Sequence, residues 1–553
     1  MAFIRKHLLK ISLSAMLLLA GILCILSLWN YAGTAQSSQN VVIRNSWIQP
    51  GGNSDSNLSP GNNNPGPNSG VNPSNRQNSR EYSRPSSDRS MAAPKVDRAG
   101  GMNRSGAGEQ NNYVPQMIGY AVLFLILSVS GYYLMAKKKL KISASNEKIV
   151  LITLLGVGFF LRLIMASSIS SHSFDLNLFK NWATTAANNL SQVYQGRSAS
   201  DYPPFYIYVL LIVGKLGNLP ALSPYYTLLL KLPSILADLA SSFLLFKLAK
   251  KYLTLELSLL ISAFYAFNPA ILLNSAVWGQ VDSFFTLLIL AAIVLLSERR
   301  IGLATVFFAS AVLMKPQGII FLPVLFFELI RQKSLKSWLK VLSSGIVTAV
   351  VILLPFAWNL GSLWIFKLYA STLGEYPYAS VNAFNFFSLL GKNFTSDAAS
   401  FLGLSYHNWG LAAIVLLTLA AWFLYIKGKS REYAGAAALI LIAGVFSFST
   451  RMHERYLFPA VALAILAYIY LRDKRLLLLA AGFSTTSYVN TYYVLLKTLS
   501  GTNSITYGPI LVITSFLNVV LFVYLLKVLY EIVMGRRDAA GKTGKLKIVA
   551  KYE

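Results

Sequence analysis

The stretch WGQVDSFFTLLILAAIVLLSERR, residues 278–300, carries the pattern on which the fold depends. Its apolar run separates Asp282 at one end from the pair Arg299-Arg300 at the other. Apolar runs of about 20 residues match the thickness of a bilayer core. With the apolar segment at 254–274, this run predicts two membrane-crossing helices joined at the Asp282 end.

The rest of the chain repeats this pattern. Of its 553 residues, 55% are hydrophobic and 13% are charged, and the mean hydropathy is +0.52; soluble proteins average about 25% charged residues. Lys and Arg recur at every second connection, as expected for the cytoplasmic side of a membrane protein. This distribution accounts for the net charge of +28 without nucleic acid, which we do not expect as a partner. The single cysteine, Cys24, excludes an intramolecular disulfide.

Composition divides the chain into five parts. In chain order they are 1–36, a signal anchor or signal peptide; 37–113, a disordered extracytoplasmic linker rich in Asn, Ser, Gly and Pro; 114–147, an accessory transmembrane helix and a basic cytoplasmic turn; 148–534, the membrane core; and 535–553, a basic cytoplasmic tail. The first part is assigned because Arg5, Lys6 and Lys10 precede an apolar run. The second holds too few apolar residues to bury a core.

The predicted fold is all-α, a polytopic protein integral to the plasma (inner) membrane with roughly 13–14 transmembrane helices. Residues 169–224 form a large first extracytoplasmic loop. Its apolar stretch at 205–218 is too short to span upright, so we place it along the interface. Lys315-Pro316 interrupts the apolar run at 301–330, which predicts two short spans that meet at an outer turn.

A sparse set of polar side chains lies at the ends opposite to the basic connections. Charge is costly inside a bilayer and is kept where it is solvated, paired or functional. The candidate site residues are Asp175, Asp201, Tyr202, Asp282, Lys315, Gln317, Arg451, His453, Glu454 and Arg455. We therefore predict that the chemistry occurs on one face of the membrane, away from the basic face.

The three aspartates have a functional and a structural interpretation. A carboxylate at the membrane boundary, such as Asp175, can act as general base for a hydroxyl acceptor, or it can cap a helix. Capping equally explains Asp201, which precedes two prolines, and Asp282 at a span end. A divalent ion shared by Asp175 and Asp201 stays open, although no spacing such as HExxH supports a metal site.

The cationic candidates point to phosphate. Lys315 can bind phosphate as a point charge, or it can extend to the headgroup level. Arg451 and Arg455 can hold a phosphate to which His453 donates, whereas Glu454 can form an ion pair with either arginine.

Five motifs, in this order, resemble those of the membrane glycosyltransferases of the GT-C superfamily. They are the acidic first loop around Asp175, DYPP at 201–204, WGQVDS at 278–283, MKPQ at 314–317 and MHERYLFP at 452–459. The resemblance covers about 148 to 532 and is nearest to bacterial proteins related to eukaryotic GPI mannosyltransferase II. A more distant similarity reaches the dolichyl-phosphoglucose-dependent glucosyltransferases.

The resemblance implies an inverting transfer of a hexose, with mannose favoured, from a polyprenyl-phosphate donor. The acceptor would be a hydroxyl of a glycan, lipid or protein on the extracytoplasmic face of the bilayer. Asp175 aligns with the general base of such enzymes. His453 and Glu454 align with a His-Glu pair at the donor site, and Lys315 and Gln317 with a lysine-glutamine element that a proline interrupts here. No cofactor is required, and a divalent metal stays open.

Two other functions compete with this one. A flippase of lipid-linked sugars would line a path through the membrane with charges, whereas these charges lie on one face. A polysaccharide ligase or polymerase that uses a lipid diphosphate would also rely on outer arginine and histidine residues, but the acidic first loop and DYPP argue against it.

Overall fold

The computed structural model describes residues 2–47, 113–138, 141–169, 171–196, 199–357, 360–361 and 363–549. In chain order the α-helices are α1 Ala2–Trp47, α2 Val114–Ala136, α3 Glu147–Ser168, α4 Ser173–Asn188, α5 Pro204–Gly217, α6 Tyr226–Tyr252, α7 Leu255–Ala266, α8 Pro269–Leu272, α9 Asp282–Ser297, α10 Ile301–Val312, α11 Leu322–Gln332, α12 Leu335–Ala357, α13 Trp364–Gly374, α14 Phe386–Leu389, α15 Tyr406–Gly428, α16 Ala434–Phe448, α17 Pro459–Leu471, α18 Arg475–Leu499 and α19 Pro509–Val549. Short 3₁₀ turns lie at Ala144–Asn146, Leu190–Gln192, Ser223–Tyr225, Pro316–Phe321 and Arg431–Tyr433, and a π-turn lies at Leu273–Trp278. Two short strands, β1 Ser400–Phe401 and β2 Leu404–Ser405, pair antiparallel.

The helices confirm an all-α, multi-pass membrane protein. Among the described residues, nine helices are long and apolar enough to cross a membrane, and four shorter apolar helices accompany them. The predicted total of roughly 13–14 crossings is larger because it also counts the segments that form α9, α10, α11, α17 and α18, which are not among these nine. The helix α5 has 14 residues and extends roughly 21 Å, less than the bilayer core, as its sequence indicated.

Residues 1–36 and 107–553 form one compact unit. Of the second unit, residues 37–106, the structure describes the helical residues 37–47, since α1 continues to Trp47. Of the predicted linker at 37–113, residues 48–112 lie outside the described residues, as do residues 550–553 of the predicted tail.

The centre of the bundle is formed by α16 and α17. Every residue of α17 is buried, and so is α16 apart from its last residue. Small residues let neighbouring helices approach closely, and α16 reads AGAAALILIAGVFSF. A Cβ at Gly444 would collide with Leu417 of α15, so the closeness of these helices depends on that glycine.

The two charged ends of the bundle are separated by the length of a helix. At one end Lys251 pairs with Glu298, and Lys250 pairs with Glu147, with 2.5 Å between nitrogen and oxygen in each pair. Asp282 begins α9 at the other end, and 16 residues of helix extend roughly 24 Å. The basic connections and the candidate residues thus lie at opposite ends, as the sequence predicted.

The predicted interruption near Lys315 is confirmed. The helix α10 ends at Val312, a 3₁₀ turn follows, and α11 begins at Leu322. Pro316, which has no backbone N–H, is the first residue of that turn.

Candidate functional site

A cavity of about 360 Å³ lies where several connections meet at one end of the bundle. Its walls include Phe174, Asp175, Phe179 and Trp182 of α4, Asp201 and Tyr202 before α5, Gln280, Lys315 and Gln317, Thr372 of α13 with Glu375 and Tyr376 after it, and His453, Arg455 and Tyr456. Seven of the ten candidate residues line this cavity; Asp282, Arg451 and Glu454 do not.

Asp175 lies in the first turn of α4 and does not cap it. The cap is His172, whose Nδ1 accepts a hydrogen bond from the backbone N–H of Asp175 at 3.4 Å. The capping interpretation of Asp175 is therefore wrong. A carboxylate in the first turn is instead favoured by the helix dipole.

The contacts of the Asp175 carboxylate fall on one of its two oxygens. Trp278 Nε1 donates to Oδ2 at 2.8 Å, and Gln280 Nε2 donates to the same oxygen. Arg455 Nη1 lies 3.8 Å from Oδ2 and His172 Nδ1 lies 3.3 Å from it. Within the described part of the chain, Oδ1 has no hydrogen-bond partner. One oxygen is thus held by the protein while the other is available.

These contacts also keep Asp175 ionised. Burial alone would raise the pKa of Asp175, but the positive charge of Arg455 and the hydrogen bond from Trp278 outweigh it and hold that pKa well below its ordinary value. The carboxylate therefore carries its charge throughout the neutral range.

A left-handed turn brings Trp278 and Gln280 to Asp175. The π-turn ends at Trp278, and Gly279 follows with φ of 86°. A Cβ at Gly279 would lie 2.8 Å from Leu176 Cδ2, so both the backbone conformation and the space require glycine. The sequence analysis gave neither neighbour of this glycine a role in holding the base. The sequence did contain a signal for this role, because Trp278 and Gln280, two residues with side-chain N–H donors, flank Gly279 just before Asp282.

Asp282 acts on the cavity through Lys315. Lys315 Nζ lies 2.5 Å from Asp282 Oδ1, and Asn274 Nδ2 donates to Oδ2 at 2.9 Å. Val281 is the residue that caps α9, so the capping interpretation of Asp282 is wrong. Lys315 is 5% exposed, which contradicts the interpretation that it reaches out to the headgroups. The pair instead fixes a cation in the cavity wall.

The second cation of the wall is Arg455. Its guanidinium lies 4.9 Å above the centre of the Trp278 ring, and its Nε donates to Glu454 at 2.8 Å. Burial lowers the pKa of His453 to about 4, so its imidazole is neutral near pH 7 and can donate one N–H. Glu454 does not line the cavity, and it acts there through its hydrogen bond with Arg455.

The structure does not bring Arg451 to the cavity. Its Nε donates to Asp397 at 2.7 Å, and its Nη1 donates to the backbone oxygen of Leu373, also at 2.7 Å. Arg451 therefore anchors the end of α13, and the predicted binding of phosphate by this residue has no support in its position.

An acidic pair lies in the same cavity wall. Asp201 and Glu375 both line it, and Thr372 Oγ1 donates to the backbone oxygen of Asp201 at 3.0 Å. Burial, and then the negative charge of Glu375, raise the pKa of Asp201 to about 6. The cap of α5 is Pro203, so capping by Asp201 is wrong as well. The sequence analysis missed Glu375, which directly follows α13 and lies far in sequence from all five motifs.

Aromatic rings complete the cavity. The ring of Tyr202 lies 5.6 Å from that of Phe179 and 5.4 Å from that of Trp182, centre to centre. Lys315 Nζ lies 5.6 Å from the centre of the Tyr202 ring. Tyr376 meets His453 edge-on at 4.7 Å. Such rings can cover the apolar face of a sugar.

Among the described residues, no cluster of three or more His, Cys, Asp or Glu side chains is arranged to hold a metal ion.

Residues 201–450 match a family model described as Glycosyltransferase family 87. The matched region contains Asp201, Gln280 and Lys315, whereas Asp175 and Arg455 lie outside it. No curated protein matches the chain. With the helical fold, the match supports a membrane glycosyltransferase of the GT-C type.

Proposed function

We propose that the protein is an inverting glycosyltransferase that moves a hexose from a polyprenyl-phosphate donor to an acceptor hydroxyl, on the extracytoplasmic face of the plasma membrane. Mannose is the favoured sugar because of the sequence resemblance. The observation that carries the proposal is the state of Asp175: it is ionised, held through Oδ2 and open at Oδ1, in a cavity that also holds two cations.

The reaction follows from these positions. Oδ1 of Asp175 takes the proton of the acceptor hydroxyl, and the hydroxyl oxygen attacks the anomeric carbon of the donor. The bond from that carbon to the phosphate oxygen breaks, and its electron pair leaves with the lipid phosphate. Arg455 and Lys315 stabilise the departing charge, and His453 can donate its N–H.

The donor also tunes the base. Arg455 is one of the groups that lower the pKa of Asp175. The phosphate of a bound donor also attracts the Arg455 guanidinium. This attraction weakens the influence of Arg455 on Asp175 and so raises the pKa of Asp175. The base is thus strongest when the donor is present.

The position of the cavity supports a lipid-linked donor. It lies at the end of the bundle opposite to the basic connections, which the positive-inside rule assigns to the cytoplasm. A donor at that depth keeps its prenyl tail in hydrocarbon and its phosphate at the level of the headgroups.

The test incubates purified full-length protein with polyprenyl-phosphate mannose, glucose and galactose, and measures released lipid phosphate and glycosylated acceptor. Asp175→Asn should reduce transfer by about 10²–10⁴-fold, since it removes the general base, while the unfolding temperature falls modestly because the ionised carboxylate stabilises the fold. The matched control is Asp397→Asn, an aspartate at the same end that pairs with Arg451 outside the cavity wall. Wild-type transfer by Asp175→Asn would refute the proposed role of this residue, and no turnover of any donor would refute the proposed function.

A further inference from the structure

An apolar groove lies between α2, α7 and α18, apart from the catalytic cavity. It consists of two cavities, of about 300 Å³ and about 550 Å³, which share Leu125, Phe264 and Ala481. No described residue lines both this groove and the cavity at Asp175. We call the smaller cavity, which Tyr132 near the end of α2 also lines, the inner cavity.

The outer half of α2 is tied to the bundle by hydrogen bonds of tyrosine hydroxyls. They join Tyr120 to the backbone oxygen of Phe267 at 2.6 Å, Tyr488 to that of Met117 at 3.0 Å and Tyr492 to that of Val114 at 3.4 Å. Across the described residues, no side-chain hydrogen bond joins residues 125–136 to α18. The inner half of α2 meets α7 instead, where a Cβ at Gly131 would lie 3.1 Å from Leu260 Cδ1. The inner cavity is the gap that this arrangement leaves between the inner half of α2 and α18.

The inner cavity lies at the basic end of the bundle. Lys474, the residue before α18, lines it. The guanidinium of Arg472 lies 5.9 Å from the centre of the Tyr252 ring, and Tyr252 directly follows Lys251. From Lys474 to Ala481 the helix rises roughly 10 Å, and half of the bilayer core is about 15 Å thick. The inner cavity therefore lies within one leaflet, which the positive-inside rule assigns to the cytoplasm.

Lys474 is a cation that the protein leaves available in the wall of this cavity. Its neighbour Arg475 is held by Asp473, with 2.8 Å between Nη2 and Oδ2, and by Glu531. Lys474 itself is exposed and forms no ion pair among the described residues. The two carboxylates are thus occupied by Arg475, and Lys474 can bind an anion.

We propose that the inner cavity binds one acyl chain of an anionic phospholipid from the cytoplasmic leaflet and that Lys474 binds the phosphate of this lipid. The bilayer core holds no water, and an empty apolar cavity deprives its walls of contacts on one side, so hydrocarbon fills the cavity. Lys474 selects the headgroup, because a zwitterionic lipid carries an ammonium group that offsets its phosphate, whereas an anionic lipid keeps its net charge. The chain then connects the inner half of α2 to α18.

This site is independent of the proposed sugar transfer. The phospholipid holds the accessory helix α2 against the bundle, whereas the sugar donor binds at the opposite end. The test therefore needs no glycosyltransferase assay, and its result does not depend on the proposed function.

The test titrates purified full-length protein in detergent with phosphatidylglycerol or with phosphatidylcholine that carries the same acyl chains. Native mass spectrometry gives the Kd of the first bound lipid, and the unfolding temperature gives its effect on the fold. Wild type should bind phosphatidylglycerol about fivefold more tightly, the factor that corresponds to about 1 kcal/mol for one lysine near the membrane surface. In Lys474→Gln this preference should fall below about twofold.

A second variant tests the cavity itself. Ser128→Leu fills the inner cavity from α2, so phosphatidylglycerol should no longer raise the unfolding temperature. Its matched control is Ser130→Leu, at an exposed position of the same helix that does not line the groove. The control for charge is Lys427→Gln, in the last turn of α15 and also outside the groove lining. Both controls should behave as wild type.

The possible outcomes are distinct. Equal affinity of wild type for the two lipids overturns the inference whether or not the variants fold. A preference that persists in Lys474→Gln, or an unchanged effect of phosphatidylglycerol on Ser128→Leu, also overturns it. Loss of the preference in Lys427→Gln would show that the general charge of the basic end selects the lipid, and it would overturn the role of Lys474.

Discussion

Gly279→Ala should damage the site far more than the fold. Alanine at φ of 86° costs about 1–2 kcal/mol, because the left-handed region is unfavourable for a residue with a Cβ. The new methyl would lie 2.8 Å from Leu176 Cδ2, and ordinary contact begins at 3.4 Å, so one side must move by at least about 0.6 Å. Leu176 follows Asp175 directly, and Gln280 follows Gly279. The base and its hydrogen-bond donors are therefore pushed apart.

Displacements of this size can lower a rate by up to about 100-fold, so we expect kcat to fall by about 10- to 100-fold, with a modest fall in unfolding temperature. The assay is release of lipid phosphate at saturating donor. The matched control is Gly403→Ala, at φ of 84°, whose Cβ would meet no described atom within 4 Å. It should show the same backbone cost and normal turnover. Equal turnover in both variants would refute the argument that the turn positions Asp175.

Three further predictions concern charge. The folded-state pKa of Asp201, about 6, exceeds its ordinary 3.8, so the folded state binds this proton more tightly, and the stability from this group increases as the pH falls through 6 and is complete below 3.8. Wild type should therefore be less stable than Asp201→Asn at pH 7, and this difference in the free energy of unfolding should shrink at pH 4. A difference that does not depend on pH would contradict this prediction. Arg455→Met removes a charge that lowers the pKa of Asp175, so the fall in rate on the acid side of the pH–rate profile should occur at higher pH, and the KM for the donor should rise. An acid side that does not move would exclude an effect of Arg455 on the pKa of Asp175. Glu328 is fully buried and accepts hydrogen bonds from two arginines, a tyrosine and a glutamine at the basic end. Glu328→Ala should therefore lower the free energy of unfolding, measured with denaturant, by about 3 kcal/mol. A loss below about 1 kcal/mol would show that this cluster contributes little to stability.

The sequence located the membrane helices, the opposite ends of the bundle and seven of the residues that line the cavity. Apolar length and the spacing of Lys and Arg are local properties, and the bilayer acts on them directly. The interruption at Lys315 was equally local, because proline prevents the regular helical hydrogen bond wherever it occurs. The structure confirmed these features with little change.

The local interpretations of the aspartates did not hold. Capping is the usual role of an aspartate near a helix start, yet Asp175, Asp201 and Asp282 leave the caps to His172, Pro203 and Val281. In each case the carboxylate faces groups from distant parts of the chain. Statistics over neighbouring positions contain no information about such partners.

The sequence by itself determined the class of protein and the end of the bundle at which its polar groups lie, because hydropathy and charge are properties of each residue and its neighbours in the chain. Only the tertiary structure decided the pairing within that end: Lys315 with Asp282, Asp201 with Glu375, and the donors of the Gly279 turn with Asp175. Those contacts join residues that are far apart in sequence, and they depend on how closely whole helices pack.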